Sequence, residues 1–222
     1  NLAWAFAKTR YEDKRLYIGI GQALLSPMKA APSDVVGLVW SFAKLRIRDD
    51  ATLQAVAEIS TAMISGFRAP DLARMLWAPA SLICVRRSFL DAAGEVSPKV
   101  AVQSKSLDVA NMLWACARFD MRGDVLVDTL VDQATMRVSE FPPQELANVV
   151  QGLATLECLS QPMAGKSAMH LAADDLKTQD VANSLWGFGT AVHRGAPFTG
   201  ESTAYSRLAR SAVEVLPEAS SQ

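Results

Sequence analysis

Few side chains of this 222-residue chain stand in arrangements that bond-making chemistry requires. Its two histidines, His170 and His193, lie apart with no metal-ligand spacing between them. Three cysteines, Cys84, Cys116 and Cys158, are odd in number, widely separated and outside any CxxC or Cys/His cluster, which argues against a disulfide framework and against zinc. Gly19-Ile20-Gly21-Gln22 lacks the third glycine of a phosphate loop, and Met163-Ala164-Gly165-Lys166-Ser167 lacks the upstream glycine and the preceding strand. No nucleophile, base and orienting acid line up. The expectation is a protein that is not an enzyme, with no catalytic residue, metal, cofactor or small-molecule substrate.

A second set of residues recurs at fixed spacing and suits recognition. Asn111, Asn148 and Asn183 follow one another at intervals of 37 and 35 residues, and Arg74 stands one interval before Asn111. Seven residues beyond Asn1, Gly37, Arg74, Asn111, Asn148 and Asn183 lie Lys8, Lys44, Ser81, Arg118, Thr155 and Thr190. Seven residues are two helical turns, so the two positions share a helix face, and stacked copies would align them in a polar ribbon. That ribbon holds four cations, Lys8, Lys44, Arg74 and Arg118, and no carboxylate. Amides and guanidinium groups match base edges, and helical repeats read single-stranded RNA at about one base per repeat. The competing reading has the asparagines satisfying polar groups of neighbouring repeats and the cations simply solvated. Arg46, Arg48, Arg86 and Arg87 are open to the same two readings, phosphate contact or solvated loop.

The elements that position these residues follow from the tryptophans. Trp4, Trp40, Trp77, Trp114 and Trp186, with Gln151 in the fifth place, are spaced by 36, 37, 37, 37 and 35 residues, a period that signals a stacked helical repeat. Around each anchor apolar residues recur three and four apart, as in Val109, Met112, Leu113, Cys116 and Phe119, and predict an amphipathic helix A. An acidic residue stands six before the anchor (Asp34, Asp71, Asp108, Glu145, Asp180), where it offsets the helix dipole. Ser33, Ser106 and Thr178 are cap candidates, and Phe141-Pro142-Pro143 ends the preceding element. Small residues one and three after the anchor, such as Ala115 and Ala117 or Gly187 and Gly189, permit close backbone approach. A turn leads to a second amphipathic run, helix B, over 50–64, 124–138 and 201–216.

These patterns predict an all-α fold, an α-solenoid of about six stacked antiparallel helix pairs in a single domain over 1–222. The copies are a partial one over about 1–30, then 31–67, 68–104, 105–141, 142–177 and 178–216, with a short tail over 217–222. The anchor tryptophans are read as sharing a face with apolar residues, and Gln151 replaces one without disturbing its copy, so they are expected to be buried structural anchors rather than base platforms. The third copy is irregular. Pro79 should kink or end its helix A between Trp77 and Ser81, and Gly94 and Pro98 make its helix B weak. No apolar stretch is long enough to cross a membrane. The net charge of −1 divides unevenly: 12 basic against 7 acidic residues over 1–90, and 10 against 16 over 91–222. Because the chain opens on Asn1 in mid-pattern, it reads as a fragment or processed product, so a targeting segment would lie upstream.

The segments FPPQELANVVQGLATL (141–156) and DVANMLWACARF (108–119) read as PP-x-E-L-A-N-x-x-W-A-x-A-x-L. This pattern resembles the octotricopeptide repeat and is similar to the repeats that precede RAP domains and those of FAST-kinase-like proteins, over nearly the whole chain. The tetratricopeptide pattern is not present. The resemblance implies RNA binding, to messenger or ribosomal RNA of a mitochondrion or plastid, beside other proteins of a ribonucleoprotein such as an organellar ribosome. The competing expectation is a scaffold that grips a partner protein within an organellar complex.

Overall fold

A computed structural model describes residues 2–25, 30–82, 86–172 and 176–195, together with 206, 209 and 210. Asn1, Cys84, most of 201–216 and the tail over 217–222 lie outside the described residues. Among the described residues the fold is all-α, with no strand. The chain divides into two compact units, Asn1–Ser104 and Lys105–Gln222, at the boundary between the third and fourth copies.

The first unit holds α1 (Leu2–Lys8), α2 (Lys14–Leu25), α3 (Pro32–Lys44), α4 (Asp50–Met63), α5 (Ala69–Leu82) and α6 (Arg87–Ala101). The anchor helices α1, α3 and α5 pack in one row and α2, α4 and α6 in a second. The second unit holds α7 (Ser106–Arg118), α8 (Val125–Met136), α9 (Pro143–Thr155), α10 (Gln161–Leu171) and α11 (Thr178–His193). There α7, α9 and α11 form the anchor row, with α8 against α7 and α10 against α9. One stripe of each anchor helix is buried, for example Val109, Met112, Leu113 and Cys116 in α7 and Leu146, Val149, Val150 and Leu153 in α9.

Four copies turn from the anchor helix into its partner by the same backbone device. The sixth residue after the anchor (Arg10, Arg46, Asp120, Glu157) adopts a left-handed conformation with φ between 53° and 63°. In the second copy Ile47 N–H donates to Phe42 C=O at 2.8 Å and Arg46 N–H to Ala43 C=O at 3.2 Å; in the fourth, Met121 N–H donates to Cys116 C=O at 3.1 Å and Asp120 N–H to Ala117 C=O at 3.3 Å. This is the Schellman closure, which satisfies carbonyls at the helix end and folds the next residue back onto its last turn. Ile47 on Phe42 and Met121 on Cys116 are buried pairs of this kind.

The helix starts correct part of the sequence reading. The residue preceding the first turn is Ala31, Lys105 or Lys177, and Ser33, Ser106 and Thr178 stand inside the first turn rather than at the cap. The acidic residues do more than offset the dipole. Asp34, Asp71, Asp108 and Asp180 each accept from the backbone N–H three residues earlier, at 3.4, 3.2, 3.1 and 3.3 Å. Glu145 has no such donor because Pro142 occupies that place, and its Oε2 is buried without a partner.

Helix α5 runs through Pro79 to Leu82, so the early end expected between Trp77 and Ser81 does not occur. The proline deletes only the bond to Met75 C=O, and Ser81 Oγ donates to Trp77 C=O at 3.0 Å in the following turn. The expected weak partner helix is also corrected: α6 spans 15 residues. Pro98 would orphan Gly94 C=O, but Ser97 Oγ donates to that oxygen at 2.8 Å, and Gly94 is itself buried.

Candidate nucleic-acid interface

On a helix of 3.6 residues per turn, the anchor, the position three before it and the position four after it fall within an arc of about 60°. Among the described residues the positions on this arc are exposed or half-buried, except Gly37, which is buried. Lys8, Lys44, Arg74 and Arg118 are exposed, and Asn111, Asn148 and Asn183 are half-buried. The tryptophans lie on the same arc, and the expectation that they are buried is corrected for Trp4 and Trp186, the two that are exposed. Trp4 is 40% and Trp186 49% exposed, while Trp40, Trp77 and Trp114 are half-buried. The residue just before the anchor takes the inward place instead: Val39, Leu76, Leu113 and Val150 are all buried.

Tryptophans and cations are interleaved on this face. Lys8 Nζ sits 4.4 Å from the centroid of the Trp4 ring, and Arg118 Cζ 5.8 Å from that of Trp114. Each pair spans four residues, one turn of helix, and such a contact contributes about 0.5–1 kcal/mol at an exposed site. The Trp4 and Trp40 rings, from neighbouring copies, have centroids 6.4 Å apart and are tilted by 43°. An open concavity of about 310 Å³ in the first unit is lined by Trp4, Gly37, Trp40, Arg68, Asp71 and Arg74, so a carboxylate and two guanidinium groups share it. One of about 360 Å³ in the second unit is lined by Trp114, Arg118, Gln151, Gly152, Thr155 and Trp186.

Several arginines elsewhere on the surface are held in ion pairs. Arg48 pairs with Asp50, Arg68 with Asp71, Arg87 with Asp91, Arg137 with Glu140, and Arg122 with both Asp120 and Glu157. Arg194 reaches Glu157 as well as the carbonyls of Ala154 and Thr155. Among the described residues no carboxylate pairs with Lys8, Lys44, Arg74 or Arg118. Of the turn arginines, Arg48 and Arg87 are therefore neutralised, Arg86 donates to Gln54 Oε1 at 2.7 Å, and Arg46 serves as the left-handed turn residue.

The asparagines divide. Asn183 Nδ2 donates to Asn148 Oδ1 at 3.1 Å, a bond between side chains of adjacent copies. That pair ties α11 to α9 and consumes part of what each amide could offer a ligand. Close helix approach makes the bond possible. A Cβ on Gly187 would stand 2.8 Å from Val150 Cγ1 and 3.1 Å from Gln151 N, and one on Gly152 3.3 Å from Leu113 C=O.

The remaining candidates for chemistry are structural. His170 Nε2 lies 3.1 Å from Phe141 C=O, and His193 is exposed in the last turn of α11. Cys116 is buried, and desolvation, with a smaller effect of Asp124, holds its thiol far above the usual range and so protonated. Gly19–Gln22 and Met163–Ser167 lie within α2 and α10, where helical N–H groups point at their own carbonyls and cannot cradle a phosphate. Among the described residues no cluster could hold a metal ion, and no helix is long and apolar enough to cross a membrane.

Sequence reasoning missed the exposure of Trp4 and Trp186. The signal was available, since anchor, ribbon positions and the intervening seven-residue spacing fix one 60° arc. Compared with known proteins, the chain matches no family model and no curated sequence.

Proposed function

We propose that the chain is a non-catalytic RNA-binding repeat protein, an α-solenoid of about six stacked helix pairs whose anchor-row face contacts single-stranded or ribosomal RNA. The observation that supports this reading is the interleaving of exposed and half-buried tryptophans with cations that lack carboxylate partners. Unpaired cations neutralise phosphates without first breaking an ion pair, and indoles stack on bases of any sequence. Asn111 and the free edges of Asn148 and Asn183 supply additional polar contacts. The octotricopeptide-like pattern supports an organellar setting, within a ribosome or an RNA-processing ribonucleoprotein.

A second reading, a scaffold for a partner protein, draws on the charge of Lys105–Gln222, which holds 9 basic against 14 acidic residues, compared with 13 against 9 over Asn1–Ser104. An acidic unit repels a polyanion except where its cations are concentrated. The test is affinity for single-stranded RNA against salt concentration, for the wild type and for the combined Lys44→Ala, Arg74→Ala and Arg118→Ala variant. The expected result is weaker binding and a salt slope shallower by about 0.7 for each phosphate left without a cation, with helical content unchanged. Equal affinity and slope in both proteins would favour the scaffold.

A further inference from the structure

The close contacts between anchor helices fix which sequence positions face each neighbour in the row. A Cβ on Gly187 of α11 would stand 2.8 Å from Val150 of α9, and one on Gly152 of α9 3.3 Å from Leu113 C=O of α7. The residue one after the anchor therefore faces the preceding anchor helix, and the residue one before it faces the following one. Residues three away extend each side along the helix.

Toward the preceding helix, the residues two before and one after the anchor are buried in α3, α5, α7, α9 and α11. In α1 the same positions hold Leu2, 57% exposed, and Ala5, also exposed. Toward the following helix, the residues four and one before the anchor are buried in α3, α5, α7 and α9. In α11 they are Ala182 and Leu185, both exposed, and Gly189 and Val192 continue the open stripe over the next two turns.

These two open sides are complementary halves of a contact that the chain already makes within its units. Ala5 is as small as the Ala, Ser and Gly residues at the close-approach position of the other copies, and Leu185 holds the place from which Leu113 and Val150 meet Gly152 and Gly187. We infer that this chain associates head to tail with a second copy of itself, the α1 side of one molecule seated on the α11 side of the next. Covering Leu2, Leu185 and Val192 removes apolar surface from water, the driving force for most such contacts. The charge of the two units sets the direction. Asn1–Ser104 carries +4 (13 basic, 9 acidic) and Lys105–Gln222 −5 (9 basic, 14 acidic), so unlike ends attract and like ends repel. The contact is heterologous and leaves one open side at each end of a pair, so further copies add by the same step. Such stacking needs no RNA.

Sedimentation equilibrium of the 222-residue chain without RNA, from about 1 μM to about 200 μM, tests this. The wild type is expected to rise from the 23.9 kDa of one chain to more than twice that mass. Leu2→Glu and Leu185→Glu each put a carboxylate on one open side, and each alone should stay monomeric with unchanged helical content by circular dichroism. Mixed in equal amounts they should form a dimer and nothing larger, because the Leu185→Glu molecule keeps its α1 side and the Leu2→Glu molecule its α11 side. Ala5→Glu and Gly189→Glu repeat the design at exposed positions, the latter with nothing within 4 Å of the added Cβ, so a folding defect in the leucine variants leaves the test intact. A wild type that stays at 23.9 kDa throughout overturns the contact and leaves the two sides to a partner other than a second copy. Association that persists in either single variant, or a mixture that fails to dimerise, overturns it as well.

Discussion

The anchor rows of the two units present the same helical positions to solvent and fill them differently. In Asn1–Ser104 the described face carries Trp4, Trp40 and Trp77 beside Lys8, Lys44 and Arg74, with the first two rings in contact. In Lys105–Gln222 it carries Trp114, Gln151 and Trp186 beside Arg118 and three asparagines, two of them bonded to each other. The first arrangement suits charge neutralisation and unselective stacking. The second replaces cations with amides at the same positions, while the buried stripe of the anchor helices stays apolar in both units.

The largest expected effect concerns that division between faces. Leu113 is fully buried and Trp114, its neighbour, is half-buried. Leu113→Ala should cost about 3 kcal/mol of stability through reduced burial and the cavity left behind. Trp114→Ala should cost less, about 2 kcal/mol, although it removes more atoms, since part of the indole is already in water. Thermal or denaturant unfolding of the two variants gives the comparison, and a larger loss for Trp114 would return the tryptophans to the core.

Next in size is the packing that brings α11 onto α9. Gly187→Val should destabilise the chain by about 1–3 kcal/mol, because the added carbons meet Val150 and the backbone of Gln151. The matching residue of the first unit is Ser41, whose Oγ donates to Gly37 C=O at 2.6 Å, so a larger side chain is already accommodated there. Unfolding midpoints of Gly187→Val and Ser41→Ala should therefore differ clearly, and similar small losses in both would show that the two rows are equally loose.

The smallest effect is at the left-handed turn residues. Arg46→Gly should raise stability by about 0.5 kcal/mol, since glycine adopts φ near 53° without a Cβ penalty but gains entropy in the unfolded chain. Glu157→Gly in the second unit should gain less, because it also deletes the ion pairs to Arg122 and Arg194. Equal gains in unfolding free energy would mean that those surface pairs contribute nothing.

Much of this was legible in the residues themselves. Helix A was readable because its buried positions alternate at three and four, and helix B over 124–138 because its apolar residues fall on one side, although its cap, Asp124 accepting from Leu126 N–H at 3.0 Å, was not foreseen. The turns were expected, but their left-handed residue was not readable, since that position holds Arg, Arg, Asp and Glu where glycine is the usual mark. α6 was misread because the hydroxyl of Ser97, which takes up the carbonyl orphaned by Pro98, leaves no periodic trace. The exposure of Trp4 and Trp186 was misjudged because the tryptophans were assigned to a face with apolar residues, whereas their angular position places them with the cations. The Asn148–Asn183 bond needed the distance between helices, which one helix's sequence does not carry.

The central claim is that the tryptophan face is where RNA lies, and intrinsic tryptophan fluorescence tests it most directly because all five indoles stand on the anchor positions. Titration with single-stranded RNA at low salt should quench the emission in a saturable manner as bases stack on the exposed rings, with the quench reversed by added salt. Binding detected by another means with emission unchanged at saturation, or no binding under these conditions, would contradict the account.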